Sequence, residues 1–145
     1  GQKVKLVEGY TTDNYTNWAV DYINGKNRDA EKPWYLWVCY GAVHGPFTPA
    51  KRHLGEYADA KVPPPADIYP PRPGKPAYMQ KINHWVKGKD GEPVLKGSKM
   101  LTVKSRPGIH GDTLTAWVRQ YHQGVLAIDE GVGRIMAALR QSGQL

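Results

Sequence analysis

The residue best suited to chemistry on an anion is His44, which follows a run of apolar residues and stands among glycines and prolines. The stretch reads YLWVCYGAVHGPFTP, from Tyr35 to Pro49. Imidazole titrates close to neutral pH, so a histidine held in a turn can donate a hydrogen bond or a proton to an anionic group. Gly41 and Gly45 allow unusual backbone angles beside it. The alternative is an exposed or purely structural loop histidine.

The other chemically capable residues form no recognisable motif. Cys39 lies within the apolar run, where a free cysteine usually acts as a small hydrophobe, and a nucleophilic pair with His44 is the alternative. Asp129 lies off the apolar stripe of its predicted helix and is a surface acid, a capping residue or a ligand. No HExxH, zinc cluster, P-loop, GxGxxG or GxSxG pattern is present. Four further histidines lack metal-ligand spacing: His53, His84, His110 and His122.

A helix and a strand are predicted ahead of the histidine. Apolar side chains recur at helical spacing over residues 15–23 and predict a helix over 14–24, with Thr12 or Asp13 as N-cap and Gly25 as its stop. The run from Trp34 to Tyr40 shows no alternation, which is typical of a strand covered on both faces. Ligands bind beyond the carboxyl ends of strands in open α/β sheets, so His44 is predicted to point into such a crevice.

The middle of the chain, from Gly41 to Asp112, loses this periodicity. Eleven of the twelve prolines lie between Pro46 and Pro107. The stretch PPPADIYPPRPGKP is therefore predicted to be extended or polyproline-like. A short helix or hairpin between residues 77 and 94 is the one exception expected.

A long final helix is the clearest predicted element. Its apolar stripe runs from Leu114 to Leu139, with Asp112 or Thr113 as the expected N-cap and Gly143 as the C-cap. Each glycine inside it costs about 1 kcal/mol relative to alanine, which predicts a break or close packing of another backbone. These glycines are Gly124, Gly131 and Gly133.

Size and charge bound the possible functions. The 145 residues suffice for one domain, and no apolar run approaches the ~20 residues of a membrane span. One strand makes no sheet, so the chain is predicted to be a slice of a larger α/β domain. The net charge is +7, and eight cations between Lys75 and Arg106 face only two acids. Such a segment attracts phosphate or sulfate anions, or is simply a solvated lysine-rich loop.

Taken together, the motifs resemble those of the sulfatases of the alkaline phosphatase superfamily. They are, in order, GYTTDNYTNWAVDYI, KPWYLWVCYGAVHGPFTP, YADAKVPPPADIYPPRPGKP and YHQGVLAIDEGVGRIMAALRQSGQL. The resemblance covers nearly the whole chain, from Gly9 to Leu145. It implies an α/β fragment of an alkaline-phosphatase-like mixed sheet, flanked by helices and carrying one long Pro-rich loop. Residues 1–145 would be a single partial domain, the central part of the catalytic domain.

The resemblance implies a sulfuric ester hydrolase that uses a formylglycine nucleophile and calcium. Neither the nucleophile motif nor the calcium ligands are in this sequence, so the fragment alone is expected to be inactive and to hold no metal. His44 matches the family histidine that binds the sulfate and protonates the leaving oxygen, although Val43 and Gly45 depart from the usual flanking residues. It is the only catalytic and substrate-binding residue carried over.

The implied substrate is a sulfated small molecule or a sulfated polysaccharide, with no nucleic acid or membrane partner and a periplasmic or extracellular location. The oligomeric state is open. Two other functions are compatible with the sequence. One is a phosphodiesterase or phosphonate hydrolase of the same superfamily, and the other is a non-catalytic basic module that binds polyanions.

Overall fold

The computed structural model describes residues 7–45, 47–96 and 112–145, and two long helices dominate this part of the chain. In order the elements are helix α1 (Thr11–Ile23), a 3₁₀ turn (Lys51–His53), helix α2 (Ala77–Lys81), strand β1 (Trp85–Lys87), strand β2 (Pro93–Leu95) and helix α3 (Leu114–Gln141). The two strands form an antiparallel hairpin. This is an α/β arrangement.

Helix α1 begins three residues before the predicted start. Its N-cap is Tyr10, so the prediction of Thr12 or Asp13 is wrong. Asp13 does not cap the helix because its carboxylate oxygens accept hydrogen bonds from a distant arginine. The predicted end is confirmed, since Asn24 is the C-cap and Gly25 follows with a left-handed φ of 95°.

The ends of helix α3 agree closely with the sequence. The hydroxyl of Thr113 accepts a hydrogen bond from the amide of Ala116, which confirms this residue as the N-cap. At the other end the C-cap is Ser142, and the predicted Gly143 lies one residue beyond it at φ 68°. Glycine is favoured at this position because left-handed backbone carries no Cβ penalty there.

Two of the three glycines of α3 mark close packing, and the helix is continuous over its 28 residues. A Cβ on Gly124 would lie 2.7 Å from Cγ1 of Val43. A Cβ on Gly131 would lie 2.7 Å from the hydroxyl oxygen of Tyr40. The predicted break is not found, and the groups that approach Gly124 and Gly131 are side chains where another backbone was predicted.

The core lies between α1 and α3, which pack along each other. Small and medium side chains fill it, including the fully buried Ala19 and Ile23 of α1 and Ala127 of α3. The hydroxyls of Thr16 and Tyr40 share a hydrogen bond of 2.9 Å inside this contact. This bond joins the segment that precedes His44 to the helix pair.

The segment Trp34–Tyr40 was predicted to be a strand, but it forms none among the described residues. It is here called the extended segment, because exposure alternates from one residue to the next as in an extended chain. Its side chains alternate between the helices and solvent. Tyr35 and Trp37 on the outer face are 83% and 77% exposed. Cys39 is also exposed, which corrects the expectation that it is a buried hydrophobe. The predicted covering on both faces is therefore not found within the described residues.

The middle of the chain contains more regular structure than a Pro-rich loop. Helix α2 and the hairpin fall where the one exception was predicted. Trp85 of β1 lies opposite Leu95 of β2, and a bridge between Val94 and Thr113 connects the hairpin to the start of α3. Residues 97–111 of the predicted loop lie outside the described residues.

Arg72 holds the proline-rich segment in place. This side chain is buried, and its guanidinium donates hydrogen bonds only to backbone carbonyls among the described residues. The acceptors belong to Asp67, Ile68, Met79 and Ile82. One buried cation thus replaces the regular hydrogen bonding that proline excludes. Among the described helices, none is long and apolar enough to cross a membrane.

Candidate functional site

His44 lies in the short loop between Gly41 and Gly45, and its side chain is exposed. Its backbone amide donates to the carbonyl of Gly41 at 3.0 Å. Its own carbonyl accepts from the amide of Phe47 at 3.2 Å. These two turns fix the backbone on both sides of the histidine, directly beyond the end of the extended segment.

The imidazole of His44 has one defined hydrogen bond. Its Nδ1 lies 2.8 Å from the carbonyl oxygen of Gly45. A carbonyl oxygen only accepts, so Nδ1 carries the proton in this contact. The Nε2 atom of the neutral ring then holds a lone pair, and it becomes a second donor when the ring is protonated. The ring is thus oriented by one nitrogen and able to bind a ligand with the other.

The loop that carries His44 rests on the middle of α3. Val43, the preceding residue, places its side chain against Gly124, where any Cβ would overlap it. Gly124 is buried at this contact. In the sequence, this contact is signalled only by a glycine inside a helix, which lowers helix propensity. The structure explains the glycine, because a Cβ at this position would overlap the side chain of Val43.

A cluster of charged side chains anchors the segment that follows His44. The guanidinium of Arg52 donates two hydrogen bonds to Asp13, at 2.9 and 2.8 Å, and one to Glu130 at 2.7 Å. His53 is only 8% exposed, and its Nε2 lies 3.0 Å from a carboxylate oxygen of Glu130. The cluster thus connects the 3₁₀ turn to α1 and α3.

The cluster shifts the pKa of its acids. Hydrogen bonds from Arg52 hold the pKa of Asp13 below its usual value. The same guanidinium, followed by His53, lowers the pKa of Glu130. The two carboxylates in turn raise the pKa of Arg52. All three groups are therefore charged at neutral pH, and the cluster is a fixed ion-pair network.

The remaining candidates from the sequence are dispersed. Cys39 is exposed and lies within the extended segment. His84 is exposed between α2 and β1, and His122 and Asp129 are exposed seven residues apart on α3. His110 lies outside the described residues. No group of three or more His, Cys, Asp or Glu able to hold a metal ion is present within 7–45, 47–96 and 112–145.

Two features of this region were not predicted from the sequence. One is the Arg52 cluster, whose members are 39 and 78 residues apart in the chain. The other is a row of aromatic side chains beside the histidine loop, in which Phe47 contacts Trp117 and Tyr121. No local spacing signals either one, because both form only when the loop packs on α3.

The site is thus an extended segment that ends in an exposed histidine and packs on two helices. The family model described as "Sulfatase" matches residues 2–145, and the chain belongs to the sulfatase family. This finding confirms the family resemblance of the motifs.

One curated relative adds detail. The chain is 28% identical over 177 aligned positions to an N-acetylglucosamine-6-O-sulfatase of Bacteroides thetaiotaomicron, strain VPI-5482. The match covers 95% of this chain and 31% of that relative. The chain therefore spans about a third of the length of the relative that it matches.

Proposed function

We propose that residues 1–145 are the central part of a sulfatase catalytic domain, and that the parent protein hydrolyses a sulfate ester of a sugar. The family match supports sulfate ester hydrolysis, and the activity in the relative's name supports a sulfated hexosamine. The observation that carries the residue assignment is His44, exposed at the end of the extended segment and oriented by Gly45.

In this proposal His44 binds the ester and protonates the leaving oxygen. Nucleophilic attack at sulfur breaks the bond from sulfur to the bridging oxygen, and that oxygen leaves as an alkoxide unless it gains a proton. The protonated ring donates from Nε2 to the bridging oxygen and transfers that proton as the bond breaks. Nδ1 keeps its hydrogen bond to the carbonyl of Gly45, so the ring holds its orientation through the step.

The rest of the machinery is assigned to the parent protein. A formylglycine nucleophile and a calcium ion are expected from the family resemblance, and calcium would neutralise the sulfate oxygens. The described residues do not fit a calcium site, since no cluster of three or more candidate ligands is found among them. The isolated chain is proposed to be inactive.

The substrate is proposed to be a sulfated sugar or sulfated polysaccharide, met in the periplasm or outside the cell. Exposed lysines on and after the hairpin would favour a polyanionic chain over a neutral one. Among the described residues these are Lys87, Lys89 and Lys96. Their contribution would decrease with rising salt, as for any exposed charge.

The assignment of His44 is tested by replacement in the parent protein. We expect His44→Ala to lower kcat for N-acetylglucosamine 6-sulfate by roughly 10²–10⁴-fold, the usual range for general acid catalysis. With 4-nitrophenyl sulfate the loss should be much smaller, because nitrophenolate leaves without a proton. His84→Ala, which removes an exposed histidine between α2 and β1, is the matched control and should leave both rates unchanged.

Each outcome of this test has a defined meaning. Equal losses with both substrates would contradict the role as proton donor and leave a binding role. Full activity of His44→Ala would overturn the assignment altogether. Hydrolysis of bis(4-nitrophenyl) phosphate in preference to any sulfate ester would assign the parent to the phosphodiesterase alternative.

A further inference from the structure

A row of rings, here called the aromatic strip, crosses α3 beside the loop that carries His44. It consists of Phe47, Tyr121, His122 and Tyr57 in spatial order. Neighbouring ring centroids are 6.0, 5.7 and 6.0 Å apart, and each pair meets edge to face. The strip starts at the histidine loop, because the amide of Phe47 donates to the carbonyl of His44.

The strip is accessible among the described residues. Tyr121 and Tyr57 are 43% and 44% exposed. His122 is exposed and Phe47 is half-buried. Such rings offer apolar surface together with two phenol hydroxyls and the nitrogens of one imidazole. Binding sites for small ligands commonly combine aromatic walls with a few polar groups in this way.

Both ends of the strip are held in unfavourable backbone conformations. Phe47 has a φ of 54° and Tyr57 a φ of 58°, in the left-handed region where aromatic residues are uncommon. Backbone of this kind costs about 1–3 kcal/mol and persists where the surrounding structure imposes it. An observed outlier of this type points to a function for the side chain that it presents.

Hydrogen bonds from side chains of α3 hold the loop around Tyr57 in its conformation. Gln123 of α3 is buried, and its side-chain amide donates to the carbonyls of Leu54 and Glu56 at 3.1 and 2.9 Å. Arg119 donates to the carbonyl of Ala60 at 2.9 Å. The loop is thus fixed to the helix on both sides of Tyr57, which holds its ring beside His122.

We propose that the aromatic strip binds the sugar ring that carries the sulfate, and that Tyr121 is the residue on which this ring packs. This inference rests on the proposed function, since the ester oxygen at His44 places the attached ring next to Phe47 and Tyr121. The C–H face of a pyranose buries apolar surface against an aromatic face, and its hydroxyls meet the polar edges. The strip thus sets specificity for a cyclic alcohol.

The test measures binding and does not depend on turnover. Ligand-observed NMR on the parent protein would follow N-acetylglucosamine and, separately, inorganic sulfate. We expect Tyr121→Ala to weaken N-acetylglucosamine binding about tenfold, the loss of one stacked ring, while sulfate binding is unchanged. Tyr121→Phe keeps the ring and should retain most of the affinity. Val132→Ala, an exposed apolar residue further along α3, is the control.

A second variant, Tyr57→Gly, tests the strip at a position where the substitution should not disturb folding. Tyr57→Gly removes a ring where glycine is favoured at the observed φ, so the loop conformation is retained. It should weaken N-acetylglucosamine binding less than Tyr121→Ala does. The inference is overturned if the unaltered protein does not bind N-acetylglucosamine, or if Tyr121→Ala binds it equally well. A lower melting temperature with unchanged sugar binding would likewise assign the strip to packing. By contrast, an equal affinity for inorganic sulfate in the unaltered protein and in His44→Ala would count against the proposed function alone.

Discussion

Arg52 is the residue that fixes the path of the chain after the histidine loop. It binds Asp13 through two nitrogens and Glu130 through a third contact. Because the guanidinium is planar, its two hydrogen bonds to Asp13 and its third to Glu130 fix the relative orientation of these groups. A lysine ammonium cannot fix orientation in this way. The side chains are between 32% and 43% exposed, so solvent screens much of their attraction. The network therefore contributes more to position than to stability.

The lowered pKa values of Asp13 and Glu130 predict a loss of stability in acid. Their ordinary values lie near 4, so the unfolded chain binds these protons at a higher pH than the folded chain does. The stabilisation is complete above about pH 5 and is lost as pH falls through the folded pKa values. We expect the melting temperature to decrease between about pH 5 and pH 3, measured by circular dichroism.

Arg52→Met provides the matched comparison for this acid response. Removing the cation should cost about 1 kcal/mol at pH 7 and much less at pH 3, so the two proteins converge in acid. Lys26→Met, which breaks a more exposed pair with Asp21, should change stability by less than about 0.5 kcal/mol. A parallel pH dependence in Arg52→Met would show that other groups control acid unfolding.

Among the elements, α3 acts as the platform for the site, and its glycines make different predictions. Gly124→Ala inserts a methyl group against Val43 and should displace the loop of His44. A shift of about 1 Å near a reacting group can cost 10²-fold in rate, so we expect kcat/KM of the parent protein to decrease by at least about tenfold. Overpacking offsets the gain in helix propensity.

Gly133→Ala is the control for this variant within the same helix. Nothing lies within 4 Å of its added Cβ, so it should stabilise α3 by about 0.5–1 kcal/mol and leave the rate unchanged. Thermal denaturation and steady-state kinetics of both variants decide the point. An active Gly124→Ala protein would show that the histidine loop does not depend on its seat on α3.

The elements also show what could be predicted from the sequence. Local patterns identified both long helices, the hairpin region and the cap at Thr113, because these depend on spacing and on side chains near in sequence. The start of α1 was misjudged because Asp13 is used in a contact 39 residues away. The aromatic strip was not predicted, because its rings come from the loop and from α3 and meet only in the folded chain. The left-handed backbone of Phe47 and Tyr57 has no local sequence signal either.

At the scale of the whole molecule, the outer face of the extended segment exposes the two large hydrophobic side chains with the highest fractional exposure among the described residues. Tyr35 and Trp37 are highly exposed on it. An open groove of about 640 Å³ adjoins this segment and α1, lined in part by Trp18, Tyr22 and Leu36. An extended edge with exposed apolar side chains readily pairs with another strand. We expect the remainder of the parent protein to cover it.

The isolated 145-residue chain should therefore self-associate and lack sulfatase activity. Sedimentation velocity over a range of concentrations should show oligomers, and no turnover of 4-nitrophenyl sulfate is expected without the nucleophile. Trp37→Ser together with Tyr35→Ser should reduce the association, because these two rings supply most of the exposed apolar edge. Tyr78→Ser, at a residue exposed on α2, should not. A chain that stays monomeric at all concentrations would contradict the view that the parent protein covers the exposed face of the extended segment. His44-dependent turnover by the isolated chain would contradict the view that it is only part of a catalytic domain.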